Sequence, residues 1–172
     1  MSGLKRLIIL LSAVISLCLI WRVWPHSASG VLPFGGDSAV RFSVFASIRQ
    51  DENDLSTAGT FYRMDDIAKS ESALWKELSD ILAASRYRQN FRNLLPWKAP
   101  EIPVSQAYGG STVRVVCHFG SGADNYAAIS FISPDFVAVS FNEGSGYRFY
   151  HPTNPETLSM LADFVQTYGR IG

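Results

Sequence analysis

VRFSVFASIR, residues Val40–Arg49, alternates apolar side chains with mostly polar or charged ones. Successive side chains of a strand point to opposite faces of its sheet, so a period of two predicts a strand with one buried face. The residues predicted to point inward are Val40, Phe42, Val44, Ala46 and Ile48. This is the clearest strand signal in the chain, and the predicted fold is built outward from it.

Further strands are predicted on the C-terminal side of this stretch. The charged loop QDENDLS and the following TFYRM, Thr60–Met64, predict a return strand and hence a hairpin. The short separators GSGADN, SPD and NEGSG have the composition of tight turns, which predicts antiparallel neighbours in a meander. The four meander strands are predicted at Thr112–Phe119, Tyr126–Ile132, Phe136–Phe141 and Tyr147–His151.

Two helices complete the predicted domain. Asp65 and Asp66 are suited to cap a helix, and the apolar spacing behind them favours a helix from about Asp66 to Tyr87. The terminal helix has two alternative start signals, namely Asn154 before Pro155, or a Thr153 and Glu156 capping box. The predicted fold class is α+β, with the order β-β-α-β-β-β-β-α and both helices packed on one face of an antiparallel sheet.

The N-terminal sequence MSGLKRLIILLSAVISLCLIWRVWP begins with two cations and continues as an apolar run over Leu7–Ile20. This order is typical of a secretory signal, and Trp21 to Trp24 lengthen the run toward the roughly 20 residues that a spanning helix needs. We therefore predict that residues 1–25 are a signal anchor or transmembrane helix, in contact with the membrane through residues 4–24. Cleavage after the small residues at Ser27–Ser29 is the alternative, and it would release a secreted domain.

The same cations, Lys5 and Arg6, predict the topology of the chain. The positive-inside rule holds them in the cytoplasm, which places a single-pass protein with its C-terminal domain outside the cytoplasm. Residues 26–38 contain Pro, Gly and Ser and are predicted to be a linker. Residues 39–172 are predicted to form one extracytoplasmic domain, since their number matches a common domain size.

The charge of the domain argues against nucleic acid as a partner. Beyond residue 25 the chain carries twelve cations against fifteen acids, a net charge of −3, whereas nucleic-acid-binding domains are normally basic. The stretch RYRQNFRNLLPWK is a local exception, and it has two interpretations: a cationic helix end, or a contact with an anionic partner or lipid headgroups. The candidate partner-binding residues are Arg86, Arg88, Arg92 and Trp97, together with Arg148 and Tyr150, which are predicted to face outward from the last meander strand.

The sequence carries no catalytic, metal or cofactor signature. Cys117 and His118 are adjacent on a predicted strand, so their side chains point to opposite faces and cannot form a nucleophile and base pair. Cys117 shares its face with Val113 and Val115 and is predicted to be a buried, inert thiol. We predict no metal site, no cofactor and no catalytic residue.

Two classes of function remain open. The first is a membrane-tethered binding or regulatory domain that recognises a protein or an envelope ligand, and an anchored immunity or inhibitor protein differs from it only in the partner. The second is an envelope hydrolase that uses His118 or His151. A histidine in a pocket, within hydrogen-bond reach of a carboxylate or hydroxyl, would favour the hydrolase.

The layout of residues 38 to 169 resembles that of small uncharacterised extracytoplasmic domains of bacterial membrane-anchored proteins and lipoproteins. Behind the signal-like start, this part of the chain has a predicted strand hairpin, one long helix, a four-strand meander and a terminal helix that opens with Asn-Pro. The resemblance implies location and fold class. It assigns a role to none of the residues.

Overall fold

A computed structural model describes residues 2–31, 39–49, 59–89, 110–120, 125–142 and 146–172. In chain order its elements are α1 (Ser2–Val23), β1 (His26–Ser27), α2 (Ala28–Val31), β2 (Ala39–Ile48), β3 (Thr60–Ala68), α3 (Ser72–Ala83), β4 (Arg86–Arg88), β5 (Thr112–Phe119), β6 (Tyr126–Ser133), β7 (Phe136–Phe141), β8 (Tyr147–Pro152), α4 (Thr157–Tyr168) and β9 (Arg170–Ile171).

The nine strands form one sheet in the order β1-β4-β8-β7-β6-β5-β2-β3-β9. Every neighbouring pair is antiparallel, and both the hairpin of β2 with β3 and the meander from β5 to β8 are confirmed. Pairing of β2 with β5 joins the hairpin to the meander. The α+β fold class predicted from the sequence is therefore confirmed, with the short strands β1, β4 and β9 added at the sheet edges.

Strand β2 has the predicted alternation, with one exception at its start. Phe42, Val44, Ala46 and Ile48 are buried, whereas Val40 is 46% exposed. The pairing of β2 with β5 shifts register between Ala39 and Arg41. A one-residue shift turns the following side chains to the other face of a sheet, which explains why Ala39 is buried in place of Val40.

Helices α3 and α4 pack against one face of the sheet and against each other. The core between them includes Leu78, Leu82, Leu161 and Val165 from the helices, none of which is more than 2% exposed. Burying a side chain of this size contributes about 1.5–3 kcal/mol to folding. This face of the sheet is therefore the structural core of the domain.

The helix predicted from Asp66 to Tyr87 is wrong at both ends. Asp65 and Asp66 lie in β3, where the backbone pairs with β2, so they do not cap a helix. Helix α3 begins only at Ser72, after Glu71, which makes no capping hydrogen bond through its side chain. The extension of β3 satisfies its backbone groups by strand pairing, and this tertiary pairing overrides the local capping preference of aspartate.

At its other end, α3 stops at Ala83 and the chain enters β4. Tyr87 is fully buried and its hydroxyl donates to the Leu82 carbonyl oxygen at 3.1 Å, while Arg86 and Arg88 on either side are exposed. The two arginines therefore belong to a strand. Their interpretation as the cationic end of a helix is wrong.

Packed structure begins directly after the N-terminal helix. Helix α1 contains the span Leu4–Trp21. By length and composition alone, these eighteen residues could cross a membrane. Residues 26–31 were predicted to be part of a linker, but they form β1 and α2, and Ala28 and Val31 are buried in the core. The linker prediction is thus wrong for 26–31, and its remainder, 32–38, lies outside the described residues.

The terminal helix α4 begins at Thr157, two residues later than a cap at Asn154 would place it. Asn154 nevertheless ends the preceding turn, since its side-chain oxygen accepts a hydrogen bond from the Glu156 N–H at 3.1 Å. Gly169 occupies the C-cap. The helix buries Leu158, Leu161 and Val165 against the sheet.

Candidate binding face

We call the face of the sheet opposite α3 and α4 the distal face. Because side chains alternate along each strand, its members are the residues between the core positions. On the central strands they are Ser43, Phe45 and Ser47 of β2, Arg114, Val116 and His118 of β5, Tyr126, Ala128, Ser130 and Ile132 of β6, and Ala138 and Ser140 of β7. None of the helices that the structure describes packs on this face.

A groove of about 720 Å³ lies on the distal face. Phe45, Phe61 and Tyr126 provide aromatic surface, and the smaller Val116 of β5 and Ser130 of β6 also line the groove. Ligand sites in proteins combine such apolar walls with a few polar groups, and their volumes fall in the range of about 300–1,000 Å³. The groove has the size and composition of a binding site.

A second aromatic cluster continues the distal face toward β8. Phe149 stacks on Phe136 at 5.4 Å between ring centroids and on Tyr147 at 6.3 Å. Tyr147 is 65% exposed, although an aromatic ring of this size is usually buried on at least one side. Exposed aromatic rings are among the residue types that dominate binding hot spots.

At one end of the distal face, a β-bulge rearranges the edge of the sheet. The pairing of β3 with β2 shifts register between Phe42 and Val44, so that Asp65 and Asp66 together oppose Ser43. Asp66 adopts φ 57°, a left-handed conformation that costs free energy for any residue other than glycine. From the bulge, the Asp66 carboxylate reaches Arg41 Nη1 at 3.2 Å.

His118 lies beside this ion pair and lines the groove. Its backbone pairs with Arg41 across the strands, and its Nε2 lies 3.3 Å from the Ser43 hydroxyl oxygen. The pKa of His118 is lowered, first by burial and then by the positive charge of Arg41, while the Asp66 carboxylate acts in the opposite direction. The imidazole is therefore neutral at pH 7.

Two nitrogen atoms in this cluster are buried and have no partner within the described part of the chain. Among the described residues, neither Arg41 Nε nor His118 Nδ1 has a hydrogen-bond partner. Buried polar groups in proteins are almost always hydrogen-bonded, so such exceptions require a physical explanation. No local pattern in the sequence marks this cluster, because its members come from three strands.

The predicted partner-binding residues that the structure describes do not converge on one site. Arg86 and Arg88 are exposed on β4, and Arg92 and Trp97 lie outside the described residues. Arg148 is exposed, with its guanidinium 5.4 Å from the Phe141 ring centroid, but it pairs with Val139 and so lies on the core side of β8, opposite to the predicted side. Tyr150 was predicted to face outward, but it is buried and pairs with Val137 on the core side, so this prediction is wrong.

The position of Arg86 and Arg88 is defined by β1. Ser27 pairs with Arg86 and His26 with Tyr87, only a few residues after α1 ends at Val23. The His26 Nε2–H donates to the Trp21 carbonyl oxygen at 3.0 Å, which ties β1 to the end of the helix. Strand β4 is therefore held close to the C-terminal end of the apolar helix.

The remaining candidate side chains have structural partners. The His151 Nδ1–H donates to the Asp135 carbonyl oxygen at 2.8 Å, and its ring packs edge-on against Phe136. Cys117 is fully buried, as predicted, and burial raises the pKa of its thiol. Within the described ranges, no group of three His, Cys, Asp or Glu side chains is arranged to hold a metal ion.

No protein-family model, curated protein or solved structure matches this chain. The resemblance to bacterial extracytoplasmic domains stays a prediction, and function has to be inferred from the geometry of the distal face.

Proposed function

We propose that the chain is a membrane-tethered, non-catalytic binding domain, exposed outside the cytoplasm, that recognises a protein or an envelope ligand on its distal face. One observation carries this proposal: a sheet whose one face is filled by two helices presents on its other face a groove of about 720 Å³ with aromatic walls. An anchored inhibitor or immunity protein would use the same face and differ only in its partner.

The apolar helix α1 supports the tether. Its span Leu4–Trp21 follows the cations Lys5 and Arg6, and Trp24 lies just beyond it, where an aromatic ring suits the membrane interface. Arg86 and Arg88 would then lie next to the lipid headgroups. Each such cation contributes about 1 kcal/mol of attraction to an anionic membrane surface.

The groove supports the recognition of a ligand. Phe61 is 46% exposed beside it, and Arg114 is exposed on its wall. Aromatic and arginine side chains carry a large share of the binding free energy in protein interfaces. The expected ligand therefore has an apolar part that replaces water on these rings.

Photo-crosslinking in intact cells tests the binding face. The photoreactive residue p-benzoylphenylalanine is placed at Phe61, beside the groove, or at Gln166, which is exposed on α4. We expect a discrete adduct from position 61 that is absent from position 166, and we expect Ser130→Trp, which fills the groove, to abolish it. Equal adducts at both positions, or none at either, would contradict the proposal.

The topology is tested separately with a C-terminal tag on the full chain. Protease added outside spheroplasts should remove the tag while the protein stays in the membrane fraction. A tag that is protected until the cells are lysed would place the domain inside and reject the extracytoplasmic part of the proposal.

A second candidate function is hydrolysis with Ser43 as nucleophile and His118 as base. It is favoured by one contact, the 3.3 Å separation between the Ser43 hydroxyl oxygen and His118 Nε2 in a groove. Against it, His118 Nδ1 has no orienting carboxylate among the described residues, and Ser43 is only 6% exposed. Turnover of p-nitrophenyl acetate that is lost in both Ser43→Ala and His118→Gln would establish the hydrolase and reject the non-catalytic proposal.

A further inference from the structure

The cluster at the bulge end of the distal face combines two hydrogen-bonding groups that lack partners in the part of the chain that the structure describes. Arg41 and His118 are cross-strand neighbours, and both side chains belong to the distal face. Each has one buried nitrogen, Nε and Nδ1 respectively, without a hydrogen-bond partner among the described residues. Two such groups on cross-strand neighbours indicate a site for an external polar group.

Both nitrogens are suited to donate. Arginine Nε always carries a hydrogen. When the Ser43 hydroxyl donates to His118 Nε2, across 3.3 Å, the hydrogen of the neutral imidazole resides on Nδ1. Arg41 Nε and His118 Nδ1 are then both N–H donors. The cluster is therefore complementary to a ligand group with oxygen acceptors.

The charges of the cluster restrict that acceptor to a single negative charge. The Asp66 carboxylate, 3.2 Å from Arg41 Nη1, already offsets the guanidinium. A dianion such as a phosphate monoester would be repelled by Asp66, whereas a monoanionic carboxylate adds charge-assisted bonds to Arg41 at a smaller electrostatic cost.

The groove continues from this cluster, because His118 lines it together with Val116 and Tyr126. We infer that Arg41 and His118 bind the carboxylate of a ligand whose apolar part lies in the groove. This inference rests on the proposed function and specifies the chemical class of its ligand. The bulge contributes by directing Asp66 onto Nη1, which orients the guanidinium.

The test compares two probes that differ only in charge, N-acetylphenylalanine and N-acetylphenylalanine amide. Each is titrated against the full chain in phosphatidylcholine nanodiscs, where calorimetry measures the affinity and the ring NMR signals of His118 report whether the probe reaches the cluster. We expect the acid to bind at least about tenfold more tightly than the amide and to shift the His118 signals, because only the acid makes charge-assisted bonds.

Substitutions test which residues cause the preference for the acid over the amide. Arg41→Gln should reduce the affinity for the acid at least about tenfold and leave the amide unchanged, whereas Arg86→Gln, which removes the same charge from β4, should alter neither. His118→Gln provides a second variant that leaves the Arg41–Asp66 ion pair in place. Its affinity for the acid should also fall.

Equal affinity for acid and amide, binding of neither probe, or tighter binding of phenyl phosphate than of the acid would each overturn the carboxylate site. These outcomes need only the unsubstituted protein. They are also distinct from failure of the proposed function, which the crosslink from position 61 decides independently.

Discussion

Two neighbouring cross-strand rows of the sheet differ completely in chemistry. Val44, Val115, Ile129 and Val139 are paired across β2, β5, β6 and β7, and all four are fully buried beneath the helices. One residue further along β2, the row on the distal face consists of Phe45, Arg114, Ser130 and Ala138. The same four strands thus present an aliphatic core on one side and a mixed aromatic, charged and small-residue surface on the other.

The difference shows which face maintains the fold. Aliphatic side chains without polar atoms fill a core at high density, whereas an arginine and a partly exposed phenylalanine add little to folding. Substitutions on the helix-covered face should therefore change stability, and substitutions on the distal face should change binding.

The largest expected effect tests this division directly. Phe131 is fully buried on the core side of β6, so Phe131→Ala should lower the free energy of unfolding by about 3–5 kcal/mol. Phe61→Ala, beside the groove, should cost less than about 1 kcal/mol because the ring is 46% exposed. Urea unfolding of the detergent-solubilised full chain measures both, and similar costs for the two would break the comparison.

The next effect concerns the bulge at the end of the distal face. Asp66 has φ 57°, which asparagine tolerates and a β-branched residue does not. Asp66→Val should therefore lower the free energy of unfolding by about 1–2 kcal/mol more than Asp66→Asn, which removes the same charge. Equal stability of the two variants, in the same urea experiment, would mean that position 66 is not held in the left-handed region.

A smaller change in the free energy of unfolding is expected for substitutions in β4, a strand with one core side and one exposed side. Tyr87→Phe removes the hydroxyl that donates to the Leu82 carbonyl oxygen and should cost about 1 kcal/mol. Arg88→Gln, on the exposed side, should change the free energy of unfolding by less than about 0.5 kcal/mol. A larger cost for Arg88→Gln than for Tyr87→Phe would reverse the assignment of the two sides.

The smallest expected effect is a pH dependence of folding stability, which arises from His118 on the distal face. The pKa of His118 is lowered in the folded protein, mainly by burial, so the unfolded state binds more protons between that value and the ordinary 6.5. Stability should therefore fall as the pH drops from about 6.5 through the folded pKa. His118→Gln should flatten this part of the curve, and an unchanged slope would show that His118 does not titrate as described.

The sequence predicted the meander well because its signals are local. Turn-forming separators and alternating side chains lie within each hairpin, and the predicted bounds of β5 and β7 agree with the structure. The start of α3 was missed because Asp65 and Asp66 satisfy a local capping rule, while their actual state is set by the bulge in the pairing of β3 with β2. A signal was present: the inward residues Tyr62 and Met64 are followed by Ile67, a change of parity that indicates an inserted residue.

The site was harder to predict than the fold. Arg41 and His118 are separated by 77 positions and become neighbours only when β2 pairs with β5. Tyr150 was assigned to the wrong side because β8 carries aromatic residues on both faces, and only its pairing with β7 decides between them. Binding residues that depend on register between distant strands leave no periodic signal in the sequence.

The accessibility of the distal face is the central claim, and thiol labelling measures it within one molecule. Ser130→Cys, in a Cys18→Ser background, places a thiol in the groove, while native Cys117 is fully buried on the core side. In the full chain in membranes, we predict that the introduced thiol reacts with a maleimide faster than Cys117 by a factor on the order of 100. Equal, slow labelling of both thiols would show that the distal face is covered in the native protein and would contradict the account.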